Sequence, residues 1–183
     1  MHGIDRWGAL AALAVVGLIA PAAPTRAADL PTVKIGVIYS YTGTTANAGK
    51  AFDAALAAWM HLHHDLAGGR KVAFFRRDDT GPAPDVARRE AQELVVQEHV
   101  DYLIGSVYTP NAVAIESVSA QAQVPFFIVN AGTTGILAGD PYAVRMGATF
   151  RQTTTPLGRW AARKAKTAFT IVSDYAPGID AEK

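Results

Sequence analysis

Residues 33–49 read VKIGVIYSYTGTTANAG, and this stretch decides the fold. Val33 to Tyr39 is a short run dominated by apolar and β-branched residues, the pattern of a strand buried on both faces. Ser40-Tyr41-Thr42-Gly43-Thr44-Thr45 then breaks it with small polar residues. From Gly49 to Leu66 the period changes: Phe52, Leu56, Trp59, Leu62 and Leu66 recur at three- and four-residue steps and predict one apolar helix face. A buried strand, a polar loop and an amphipathic helix in that order form the unit of a parallel sheet wrapped by helices.

The same unit recurs outward from it. Lys71 to Arg77 predicts a second strand, closed by the turn formers Asp78-Asp79-Thr80-Gly81-Pro82. Pro84 and Asp85 suit the first turn of the next helix, whose inner face is Val86, Ala91, Leu94 and Val95. Asp101 to Gly105 predicts a third strand, Pro110 to Gln121 a third helix, and Val124 to Val129 a fourth strand. Pro141 to Met146 reads as a short strand, Thr155 to Lys166 as a helix, and Ala168 to Val172 as one more strand. Gly68-Gly69 is expected to stop the first helix. The fold class is therefore α/β with a doubly wound parallel sheet. Residues 28–150 are expected to form one lobe, and 151–183 the crossover into a second lobe largely absent from this sequence.

Half of the 183 residues are hydrophobic and 18% are charged, a globular composition. Lys and Arg number 17 against 16 Asp and Glu, so nothing in the charge balance attracts nucleic acid. No cysteine is present, which excludes disulfides, thiolate metal sites and a cysteine nucleophile. At the amino terminus a leader with Arg6 precedes the apolar run Trp7 to Ala20, then Pro21 and small residues. This is the pattern of a secretory signal peptide over 1–27, with cleavage after Ala27, and it predicts a periplasmic protein. The run is shorter than the roughly 20 residues needed to span a bilayer.

Ligands of open α/β sheets bind outside the carboxyl ends of the strands, where the strand order reverses. The loops to examine follow strands one, three and four: Ser40 to Gly43 with Tyr41, Ser106 to Thr109 with Tyr108, and Ala131 to Gly135 with Thr133 and Thr134. In the second of these, Thr109-Pro110 predicts a hydroxyl at the N-cap and a proline in the first turn of a helix. The free amides expected at Asn111 and Ala112, with the Thr109 hydroxyl, would suit a carboxylate. Thr133 and Thr134 could donate to the same anion. A threonine there would otherwise serve only its own helix.

Five motifs occur in register: VKIGVIYSYTGTTANAG at 33–49, RDDTGPAPDVARREAQELV at 77–95, DYLIGSVYTPNAVAI at 101–115, VPFFIVNAGTT at 124–134 and PYAVRMG at 141–147. Together they resemble the type I periplasmic binding family of ABC importers, which includes branched-chain amino acid receptors. The resemblance implies a non-enzymatic receptor that holds a small carboxylate between two lobes and hands it to membrane permease subunits. It places carboxylate-gripping groups at Thr109, Ala131 and Thr133, and finds Ala48 where an aromatic residue is often present in loop one. The segment SDYAPGIDAE at 173–182 is similar to members that take up aromatic carboxylates, with Tyr175 facing the cleft. A ligand-binding sensory domain of the same fold is the alternative.

Other clusters carry less. His61, His63 and His64 suggest a solvated helix end rather than a metal site. Asp78 and Asp79 are adjacent in an extended segment and point to opposite faces, which suits a turn better than paired acid–base chemistry. Arg76-Arg77 and Arg88-Arg89 have acidic neighbours, and the resemblance implies a structural role for Arg145. No nucleophile with a base, phosphate loop or dinucleotide fingerprint is present, so no enzyme activity, cofactor or metal is expected.

Overall fold

The computed structural model describes residues 30–183, so the predicted leader lies outside the described residues. Its strands are β1 (Val33–Tyr39), β2 (Leu66–Ala67), β3 (Arg70–Asp78), β4 (Tyr102–Gly105), β5 (Phe126–Ile128) and β6 (Ala143–Arg145). Its helices are α1 (Ala46–Leu62), α2 (Pro84–Val96), α3 (Thr109–Ala122), α4 (Phe150–Ala162) and α5 (Ala176–Glu182). The strands form one sheet in the order β2-β3-β1-β4-β5-β6, parallel throughout except for β2. Because β1 pairs with β3 on one side and β4 on the other, the chain leaves β1 in one direction and returns past it in the other. That reversal opens a crevice at the carboxyl ends of β1 and β4.

Alternation along β1 divides the two faces. Tyr39 stacks on Phe52 of α1 with ring centroids 5.0 Å apart, while Ile38 points to the opposite side. On that side lies the core: Ile38, Leu94, Leu103, Ile115, Phe126 and Ile128 are fully buried between the sheet and the pair α2 and α3. Gly36 lets α2 come close, since a Cβ there would stand 2.9 Å from Leu94 Cδ1.

Three expectations need correction. Gly68-Gly69 does not cap a helix running to Leu66. Both glycines have positive φ (56° and 78°) and form the two-residue turn of a β2–β3 hairpin, while α1 ends at Leu62. Ala168 to Val172 is not a strand, and Phe169 and Ile171 are almost wholly exposed. Its β-forming residues have no neighbouring strand to complete a ladder among the described residues. The helix predicted from Thr155 begins at Phe150, because Thr149 and Gln152 make a reciprocal capping box that outweighs the bond lost at Pro156.

Candidate ligand-binding site

The crevice is organised from below by a carboxylate the motif analysis set aside as a turn former. Asp79, fully buried just past β3, accepts from Ser40 Oγ at 2.6 Å and the Gly81 amide at 3.2 Å on Oδ1. Its Oδ2 accepts from Asn111 Nδ2 at 2.8 Å and lies 3.4 Å from Ser106 Oγ. One side chain thus ties loop one, the β3 turn, the β4 loop and the first turn of α3 together. Asp78 points the other way and accepts from the Tyr41 amide, the Thr42 amide and hydroxyl, and the Thr80 amide. Partial burial pushes its carboxyl pKa up, but these bonds outweigh that and hold it below the usual value.

At the mouth of α3 the β4 and β5 loops meet. Thr109 Oγ1 and Thr133 Oγ1 are 2.9 Å apart, both nearly buried. The Ala131 amide donates to Ser106 O at 3.0 Å, fastening one loop to the other. Thr109 is not the cap that the sequence suggested. The Tyr108 carbonyl accepts the first helical bond, from the Ala112 amide, which makes Tyr108 the cap and leaves the Thr109 hydroxyl for its partner across the crevice. The Ala112 amide is therefore spent. The Thr109 and Asn111 amides remain in the first turn, where no intrahelical acceptor reaches them.

The remaining predicted residues disperse. Ser106 is buried with its hydroxyl turned inward between Asp79 and Tyr108 O. The Tyr108 hydroxyl lies 3.2 Å from Thr45 Oγ1, bridging toward loop one. Tyr41 bonds Asp53 of α1, which also pairs with Arg76 at 2.8 Å, and burial with the Asp53 charge raises the phenol pKa well above normal. Tyr175, at the start of α5, lines a shallow cleft with Phe150, Val172 and Pro177. Phe150 donates its amide to Gly132 O at 2.8 Å and packs on Gly132, so Tyr175 stands one residue removed from the β5 loop. That loop already holds one carboxylate: the Thr134 amide donates to Asp180 of α5 at 2.8 Å, and this bond lowers the Asp180 pKa.

Beneath the β5 loop, Arg145 Nη2 donates to Thr133 O at 2.6 Å. Arg145 shares its surroundings with Glu116 of α3 and Asp140, both nearly buried. Burial, then the Asp140 charge, raises the Glu116 pKa to about 7 against the opposing pull of Arg145. Motif reading missed Asp79 and Glu116. The usable signal for Glu116 was its place as the one charged residue of α3, between Ile115 and Val118. Of the other arginines, Arg77 pairs with Glu90 and Glu98, and Arg89 with Glu90. His63 stacks on Trp59.

The comparisons with known proteins agree with this architecture. The profile of the family described as periplasmic binding protein matches residues 32–183. The Leu/Ile/Val-binding protein homolog 6 of Brucella abortus is 43% identical over 175 residues, covering 95% of this chain but only 44% of its own length. A solute-binding protein of an ABC transporter from R. palustris, solved in complex with 4-hydroxybenzoate, superposes with a TM-score of 0.79 at 40% identity, over 83% of this chain and 42% of that one. Another from R. palustris, in complex with benzoate, gives 0.75 at 27% identity over 82% and 42%. The chain spans less than half the length of these relatives. By the profile match and the identity over nearly its whole length, the chain belongs to the periplasmic binding protein family.

Proposed function

We propose that this chain supplies the carboxylate-gripping lobe of an exported solute-binding protein serving an ABC importer, with a small aromatic acid as its ligand. The observation that carries the reading is the Thr109–Thr133 hydroxyl pair, two donors from two loops at the first turn of α3. In such a pair one hydroxyl donates to the other and the second keeps a free hydrogen. An arriving carboxylate takes that hydrogen, displaces the mutual bond, and meets the Thr109 and Asn111 amides where the helix dipole favours negative charge. Phe150 and Tyr175 offer ring surfaces beside the same loop. The relatives solved with 4-hydroxybenzoate and benzoate support an aromatic acid over an aliphatic amino acid.

In this reading residues 1–27 direct export to the periplasm, 28–150 form the first lobe, and 151–183 lead toward a second lobe of a longer protein. That lobe closes over the ligand by a hinge motion and presents the closed form to the permease. No bond in the ligand is made or broken.

The test is a titration of the 15N-labelled chain with 4-hydroxybenzoate, benzoate and leucine up to millimolar concentration, read by amide chemical shifts. The aromatic acids are expected to move the Thr109, Asn111 and Thr133 amides, and Thr109→Ala with Thr133→Ala to abolish the response, since each charge-assisted bond contributes about 1.5–3 kcal/mol. Shifts with leucine alone transfer the site to amino acids. Unmoved amides at these three positions sink the assignment.

A further inference from the structure

The β5 loop rests on a largely buried charge group that the ligand itself need not touch. Arg145 holds the Thr133 carbonyl at 2.6 Å, while its Nε has no partner. Glu116 Oε1 and Asp140 Oδ2 are likewise buried without partners. Two carboxyl groups and one guanidinium, the last bonded to the loop, therefore lie near enough to act on one another's charge. Glu116 lies seven residues after Thr109 on α3, about 10 Å along the axis from the hydroxyl pair.

We propose that Arg145 is a positioning residue for Thr133, and that Glu116 sets the charge behind the loop so that carboxylate binding is accompanied by proton uptake. The inference rests on the carboxylate reading of the Thr109–Thr133 site. With Glu116 ionised the group carries one more negative charge than with Glu116 protonated, and an anionic ligand two helical turns away is repelled. A proton on Glu116 removes that charge and its repulsion. Ligand and proton therefore favour one another, by the same factor in either order.

The charges facing Glu116 are Asp140 from the turn before β6 and Arg145 from β6. On the other elements packed against α3, Arg89, Glu90 and Glu93 of α2 are engaged with one another and Arg77, and Asp180 of α5 is held by the Thr134 amide. Burial places the Glu116 transition at about 7, inside the range where binding is measured.

The experiment is calorimetric titration of the chain with 4-hydroxybenzoate at pH 6 and pH 8, in two buffers of different ionisation enthalpy. The ligand carboxylate stays ionised across that range. Affinity is expected to be roughly three- to tenfold tighter at pH 6, with fractional proton uptake near pH 7. Glu116→Gln, close to isosteric with the protonated side chain, removes both effects and leaves tight binding at pH 8. Arg145→Gln weakens binding about tenfold at both pH values, and Arg145→Lys restores most of it. Binding by wild type without pH dependence or proton uptake, or a pH dependence that survives in Glu116→Gln, overturns the proton linkage and leaves the carboxylate site standing. Unchanged affinity in Arg145→Gln overturns the positioning role. No binding at either pH overturns the carboxylate reading and this inference with it.

Discussion

Two buried carboxylates lie on opposite flanks of the crevice and are treated in opposite ways. Asp79, at the reversal point, has four donors aimed at its two oxygens, so removing it from water is matched bond for bond. Glu116, under the β5 loop, keeps an oxygen without a partner beside a second carboxyl group. A buried charge supplied with hydrogen bonds is an anchor, whereas one left short of them exchanges its proton instead. The reversal point is accordingly the anchored half of the candidate site, and the part under the β5 loop the half in which we propose that charge varies with pH.

The largest test of this contrast is Asp79→Ala. It leaves the Ser40 hydroxyl, the Gly81 amide and one Nδ2 hydrogen of Asn111 without their buried acceptor, while Ser106 keeps Tyr108 O and Asn111 keeps Gly81 O, and is expected to cost about 3 kcal/mol or more in urea unfolding. A loss near that of a surface substitution would remove Asp79 as the anchor.

The next effect is smaller and depends on pH. The folded protein holds the Glu116 proton more tightly than the unfolded chain, whose glutamate titrates near 4.5. That added stability is complete below the unfolded value and is lost as pH rises through about 7. Wild-type unfolding free energy is therefore expected to fall between pH 5 and pH 8 relative to Glu116→Gln, by about 2–3 kcal/mol at the upper end. Parallel curves would mean that Glu116 is as well satisfied as Asp79.

The smallest effect sharpens the comparison from within the anchor. Ser40→Ala removes one of four donors and leaves the other three, and about 1 kcal/mol is expected in the same unfolding assay. A loss as large as that of Asp79→Ala would mean that one bond dominates the set.

The parallel sheet was legible because its strands are buried runs such as Val33 to Tyr39, where composition and burial say the same thing. Ala168 to Val172 has similar composition, yet strand formation needs a neighbour, and no residue within the run specifies one. Gly68-Gly69 misled for a related reason, since glycines suit both a helix stop and a hairpin turn, and only the pairing with β3 selects the second. Within the site, the three loops followed from the strand order. The pairing of Thr109 with Thr133 depended on which carbonyl opens α3, a one-residue matter that local preference leaves unsettled. Asp79 looked like any turn former because its four donors come from three separate loops and a helix. Glu116 was hidden because α3 is buried around most of its circumference, which erases the one-sided stripe that marks a misplaced charge.

The hairpin at Gly68-Gly69 also governs how the molecule meets other chains. A parallel sheet ending at the nine-residue β3 would present a long row of open peptide groups to any extended segment in solution. The two residues of β2 fold back over Arg70 and Lys71 at the start of that row, which shortens the open stretch to Val72–Asp78. The opposite margin, β6, has only three. A shortened row on one side and a short strand on the other reduce sheet-to-sheet aggregation, so losing the Gly68-Gly69 turn would threaten solubility before it threatened the crevice.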